Sequence, residues 1–312
     1  MHFLIRSLCE NAQISSGRSY LITSGTFDIS YCSFSRSTGL GINGGVIYCV
    51  GESNLNVSDC AFYKCSTSGA SGGAIYFSAS NCNMVRICGM KCKSTSNYHF
   101  SFISGKYESK FNFNYISIAS CGDLDIYESY HCIYLQKGYQ SIYSLNSSKN
   151  IIFQPTSLCI DDPSSFHGTR CTFANNRALH SIVIWFMGGT DTRILDYSNI
   201  LNNNQDTSTW AIVYCHYGSS DYNLDHCMFY GNQNTLFTKV SGSITVSNCE
   251  ISHSGSLGTY IDGGNNIEYS SSLKIQHYST ELCDAEIPLM PKTHVLPYSI
   301  TSLQISIFCL LF

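Results

Sequence analysis

Leu55-Asn-Val57-Ser-Asp-Cys60-Ala-Phe62-Tyr-Lys-Cys65, followed by Gly72-Gly73-Ala-Ile-Tyr76, is the stretch that decides how the chain is read. In the first segment apolar side chains alternate, skip two positions, and alternate again. Alternation marks a strand with one buried face. The two-residue gap marks a corner at which the alternation restarts. One period earlier the same pattern stands at Phe27, Ile29, Cys32, Phe34 and Ser37. Later it stands at Cys82, Met84, Ile87, Gly89 and Cys92, and then at Phe111, Phe113, Ile116, Ile118 and Cys121. The steps between these copies are 28, 27 and 29 residues.

The pattern weakens around Tyr143 and Leu145 and resumes at Phe166, Gly168, Cys171, Phe173 and Asn176. A degenerate copy follows at Arg193, Leu195, Ser198, Ile200 and Asn203, and a clear one at Tyr222, Leu224, Cys227, Phe229 and Asn232. A shorter step of 22 leads to Ile244, Val246, Cys249, Ile251 and Ser254. A last copy is expected to begin near Ile267 and Tyr269. Between copies lies a second element, Gly44-Gly45-Val-Ile-Tyr48 and Gly72-Gly73-Ala-Ile-Tyr76, with looser versions ending at Ile103, Tyr134, Trp185 and Tyr214.

A period of this length with strand patterning is the mark of a solenoid. One coil cannot bury its inner face, so coils must stack and pair each strand with the strands above and below. The expected fold is all-β: a right-handed, single-stranded parallel β-helix of about 9–10 coils of about 28 residues. Residues 1–26 are expected to form an N-terminal cap or degenerate coil. Residues 27–275 carry the helix, and residues 276–312 form a linker and apolar tail. The Gly pairs fit turns needing positive φ or close backbone approach. Asn176, Asn203 and Asn232 share one corner with Cys65, Cys92 and Cys121. Stacked Asn amides can bridge successive coils there, and stacked Cys are expected to stay mostly unbridged because disulfide dihedrals are demanding.

Composition narrows the function. Charged residues are 12% of the chain and the net charge is -4. No run of basic residues is present to meet phosphates, so nucleic acid is not expected as a partner. The 17 Cys are an odd number, so at least one thiol is left over. Several occupy positions held elsewhere by Phe or Ile, as small buried hydrophobes do.

Catalytic and metal signals are weak. Asp161-Asp162 followed by His167-Gly168, with Arg193-Ile194-Leu195 beyond, imitates the paired carboxylates, His and Arg of a polysaccharide hydrolase. Asp161 and Asp162 would be the acid and base, with His167 beside them. The spacing keeps Asp162 and His167 in one coil, and Asp-Asp-Pro is also a common turn. The His and Cys spacings match no standard metal site, and no cofactor fingerprint occurs, so no cofactor is expected. Asn56-Val-Ser58 and Asn146-Ser-Ser148 are glycosylation sequons in a secreted chain. As a secretory signal the run Phe3 to Ile5 is too short. Ile305 to Phe312 is too short to span a bilayer; it reads either as a terminal strand or cap, or as the start of a membrane anchor in a truncated chain.

The two repeated elements resemble those of the chlamydial polymorphic outer membrane proteins. Gly72-Gly-Ala-Ile75 and Gly44-Gly-Val-Ile47 are similar to the GGA(I/L/V) motif, and Phe173-Ala-Asn-Asn176 and Phe229-Tyr-Gly-Asn232 to the FxxN motif. In its Cys, Ser and Tyr richness the chain looks closer to the related surface proteins of trichomonad protozoa. The resemblance covers roughly residues 20–275 and implies a pectin-lyase-like β-helix at a cell surface, with a role in adhesion to a host-cell protein or glycan. Several FxxN sites read FxxC or FxxS here, and no autotransporter barrel follows. The reading reached from sequence is a non-enzymatic extracellular or cell-surface scaffold for adhesion or display. The alternatives are a polysaccharide-cleaving β-helix enzyme and a fragment of a larger surface protein.

Overall fold

The computed structural model describes residues 13–14, 20–123, 131–153, 157–178, 182–189, 191–205, 210–218 and 220–267. These residues hold strands and no helix. Twenty-three of the strands join one sheet, and every pairing within it is between strands of adjacent coils. The chain is a parallel β-solenoid.

Register follows the repeat. Leu55 pairs with Cys82, Cys82 with Phe111, Phe111 with Gln140, and Gln140 with Phe166. The ladder continues through Arg193, Tyr222 and Ile244. Phe34, Phe62 and Gly89 are vertical neighbours, as are Phe173, Ile200 and Phe229. Gly89 stands where its neighbours carry large side chains because the Phe100 ring fills the space; a Cβ there would lie 2.3 Å from that ring.

The stretch where the pattern weakened is a full coil. Tyr139–Ser148 pairs along its length with Lys110–Ala119. Its inward side chains include Gln140 and Ser147, both buried. Polar identity at inward positions hid the period. The end also differs from expectation. The last rung starts at Ile261, which pairs with Thr245, and Ile267 bridges Glu250. Stacking starts ahead of Phe27, since Tyr20–Ile22 pair with Ile47–Cys49 and Gln13–Ile14 with Ser33–Phe34. Phe3, Ile5, Leu8, Tyr269 and the tail from 276 lie outside the described residues.

The corners have a common device. At the first corner Tyr31, Asp59, Arg86, Tyr115, Ser144, Arg170, Tyr197 and His226 have φ between 44° and 59°. At the second, five residues on, Arg36, Lys64, Lys91, Ser120, Lys149, Asn175 and Asn202 have φ between 50° and 56°. A left-handed residue reverses the alternation, so Cys60 points inward three residues after Val57. Non-glycine residues enter this region at a cost of about 1–2 kcal/mol each. The stack holds them there: Tyr31 N–H donates to Ser58 and Lys64 N–H to Met90, in the adjacent coil.

The residue after each second corner closes the backbone. Asn203 Nδ2 donates to the Phe173 carbonyl at 2.8 Å, and its Oδ1 accepts the Asn176 N–H at 3.0 Å. Asn150, from the coil the pattern hid, is a further member of this ladder, bonded to Asn176. Cys residues occupy the same socket in earlier coils: Cys92 Sγ donates to the Phe62 carbonyl at 3.4 Å, and Cys121 Sγ accepts the Cys92 N–H at 3.3 Å. Thirteen described cysteines are free thiols, all buried, including Cys65, Cys92 and Cys121. Cys88 is disulfide-bonded. Burial pushes the thiols of Cys49 and Cys171 up to about 12.

In the Gly-Gly element each glycine has its own reason. Gly44 and Gly72 have φ of 71° and 76°. Gly45 is pressed against the next coil, where a Cβ would stand 2.0 Å from the Gly73 carbonyl oxygen.

Candidate functional site

The strand after each Gly pair turns one residue inward and the next outward. Ile47, Ile75, Ser101, Ile133, Leu158, Ile184 and Val213 stack inside. One residue on, the outward column runs Tyr48, Tyr76, Phe102, Tyr134, Cys159, Trp185 and Tyr214. Six of these seven carry aromatic rings, and register alone puts them in line.

The rings touch. Tyr48 and Tyr76 meet edge to face at 5.4 Å between centroids. Tyr76 stacks on Phe102 at 4.7 Å, and Phe102 on Tyr134 at 5.5 Å. Cys159 interrupts the column, and His131 bridges the gap, 5.1 Å from Tyr134 and 5.6 Å from Trp185. Trp185 leads on to Tyr214 and His216, and Trp210 lies edge-on to Tyr214 at 4.8 Å. Beside the column lies a row in register, polar except at Met187: Ser104, Gln136, Asp161, Met187 and His216.

The lower end of the column carries unmet hydrogen-bonding capacity. Trp185 Nε1, Tyr214 Oη and His216 Nδ1 are each shielded from solvent and have no hydrogen-bond partner. Buried polar atoms are rarely left so, and three lie together here among rings that touch one another. Exposed Trp210 and Tyr217 frame them. Burial lowers the His216 imidazole below its usual value and raises the Tyr214 phenol to about 12. Both groups are therefore neutral near pH 7, suited to exchanging hydrogen bonds with uncharged hydroxyls.

The residues singled out from sequence fall in different places. Asp161 belongs to the polar row, where it accepts from Tyr134 Oη and from Gln136 Nε2. Asp162 stands at the next turn with φ of 43° and accepts from Tyr107 Oη. The turn reading of Asp-Asp-Pro describes this backbone. His167 lies on the following side of the coil, exposed, with Nε2 3.1 Å from Asp196 Oδ2. Arg193 points inward rather than toward solvent. It is 1% exposed and its guanidinium donates to the carbonyls of Gly188 and Pro163. Asp221 Oδ1 accepts from Ser243 Oγ in the next coil. Among the described residues no group of three or more His, Cys, Asp or Glu could hold a metal ion.

Sequence reading missed one acidic pair. Asp196 and Asp225 are register neighbours, and each faces a histidine, His167 and His226. Burial acts to raise the Asp225 carboxyl, but hydrogen bonds from Asn248, His226 and Ser247 outweigh it and hold the group below its usual value. Both sequon amides are tied across coils: Asn56 Nδ2 donates to Asp28 Oδ1 at 2.7 Å and Asn146 Nδ2 to Ser117 Oγ at 3.1 Å.

No protein-family model matches the chain, and no curated protein does. No described helix is long and apolar enough to cross a membrane.

Proposed function

We propose that the protein is a non-enzymatic extracellular or cell-surface scaffold whose aromatic column binds a glycan chain. The observation that carries this reading is the cluster of unpartnered Trp185 Nε1, Tyr214 Oη and His216 Nδ1 within a file of outward rings. Sugars offer apolar C–H faces for ring stacking and hydroxyls for polar atoms, so one ligand class answers both features. Aromatic side chains suit this use because they present a large apolar area together with a polar tip. Rings on adjacent rungs stand 4.7–6.1 Å apart between centroids, a repeat comparable to the advance of one pyranose along an extended chain. Tyr48, Tyr76, Phe102 and Trp185 are part-exposed, whereas Tyr134 and Tyr214 are buried at 8% and 1% exposure, so a ligand meets the part-exposed rings first and reaches Tyr214 at the column's lower end. The Gly-Gly and FxxN resemblance to surface adhesins supports the same reading.

The test is a glycan array probed with the purified protein and with Trp185→Ala and Phe102→Ala. The wild type binds at least one uncharged oligosaccharide series, and each variant weakens that binding by at least about tenfold, as loss of an aromatic anchor does. Circular dichroism confirms that the variants fold. Identical binding by both variants removes the column from the site.

A further inference from the structure

The chain has 17 Lys and Arg spread over 312 residues, with no basic run in the sequence. The solenoid nevertheless gathers some of them. Arg36, Lys64 and Lys91 occupy the second corner in three consecutive coils, followed by Ser120 and then Lys149. Backbone bonds fix the order: Arg36 N–H donates to Tyr63, Lys64 to Met90, Lys91 to Ala119, Ser120 to Ser148, and Lys149 to Ala174. All four basic side chains are exposed.

The first corner shows how this fold treats stacked charges elsewhere. There Asp59 and Arg86 alternate in sign and form a bidentate pair with N–O distances of 2.5 and 2.7 Å. Tyr197 and His226 stack in the same column. At the second corner like charges succeed one another on rungs about 4.8 Å apart, an arrangement that is destabilising by itself. No acidic residue is interleaved: between Lys91 and Lys149 the column holds Ser120. Lys64 and Lys91 both place their ammonium groups over the ring of Tyr63, at 4.9 and 5.8 Å.

We infer that this ridge is an electrostatic track for a linear anionic polysaccharide, one bearing sulfate or carboxylate groups. The row is straight, parallel to the solenoid axis and one residue wide, which fits a single extended chain rather than a duplex. Single-stranded nucleic acid is a poorer match because it also needs rings for base stacking. The ring at the ridge, Tyr63, is 6% exposed and already faced by two ammonium groups. The ridge stands apart from the aromatic column, so it does not depend on the function proposed above.

Binding of dextran sulfate by the full chain, read by fluorescence anisotropy across a salt series, tests the inference. Uncharged dextran, an oligothymidylate and phosphatidylserine vesicles are run alongside. The wild type binds dextran sulfate in a salt-dependent manner and more tightly than the other three. Lys64→Gln/Lys91→Gln weakens it by at least about tenfold and reduces the slope of log K against log salt by about two, one for each charge removed. These lysines are exposed, so the double variant folds, and it keeps the wild-type profile on uncharged glycans. Unchanged dextran sulfate binding by the double variant overturns the inference. So does tighter binding of the oligothymidylate or the vesicles, or no binding of dextran sulfate at all.

Discussion

From Cys65 to Cys121 the second corner is filled by thiols; from Asn150 to Asn232 it is filled by carboxamides. Asn203 and Asn232 each donate to a carbonyl of the preceding coil and accept an N–H from the preceding corner; the thiols divide this work, Cys65 and Cys92 donating and Cys121 accepting. The carboxamides do it with bonds of 2.6–3.0 Å, as Asn232 and Asn203 show. The thiols do it at 3.4–3.5 Å, as Cys92 and Cys65 show, and sulfur is a weak donor and a weak acceptor. One socket therefore accepts two chemistries, but the Asn half of the column is the more tightly fastened. A family motif with Asn at this site and a chain with Cys there can share one backbone.

The largest expected separation between the halves comes from acid. The buried histidines His99 and His131 both lie among the Cys coils. Burial lowers the His99 imidazole to about 4 and that of His131 to about 3. The unfolded chain takes up protons near pH 6.5 that the folded chain refuses, so this contribution to stability is intact above pH 6.5 and declines as pH falls toward 4. The loss reaches about 1.4 kcal/mol per pH unit for each histidine. Hydrogen exchange at pH 7 and pH 5 should show protection falling first in residues 75–135 and later in residues 193–250. Uniform loss along the solenoid contradicts this.

Next in size is Asn203→Ala. It leaves the buried Asn176 N–H and the Phe173 carbonyl without their partners, at a cost of about 3 kcal/mol, read from urea unfolding. Cys92→Ala removes weaker bonds and a smaller volume and costs about 1–2 kcal/mol. The smallest effect is expected from Cys92→Asn, within about 1 kcal/mol of wild type, since the socket already suits a carboxamide. A Cys92→Asn protein as damaged as Asn203→Ala would show that the two halves differ in backbone and not merely in side chain.

Most of the fold was legible because the inward positions repeat. The ladder from Phe34 through Phe62 to Gly89 and the two reasons for the Gly pair follow from spacing and elementary sterics. The hidden coil at Tyr139–Ser148 was not legible, since Gln140 and Ser147 turn polar side chains inward. The left-handed corners were also invisible: Tyr31, Arg86 and Lys91 have no intrinsic preference for that conformation, and the stack holds them in it. The aromatic column was half visible. Tyr48 and Tyr76 stood out as parts of the motif, but Phe102, Trp185 and Tyr214 join them only through register. Arg193 stood in the sequence both at an inward position of a degenerate copy and in a run imitating a hydrolase motif; its strand's alternation makes it a core residue.

Both tryptophans of the chain, Trp185 and Trp210, lie at the column's lower end, each within 6.1 Å of the Tyr214 ring. Titrating the protein with the uncharged oligosaccharides that the array selects, while following tryptophan emission, therefore reads the site itself. A saturable change in emission that disappears in Tyr214→Phe or His216→Ala is the expected result. Sugar binding that leaves both tryptophans unperturbed would place the ligand elsewhere and contradict the account.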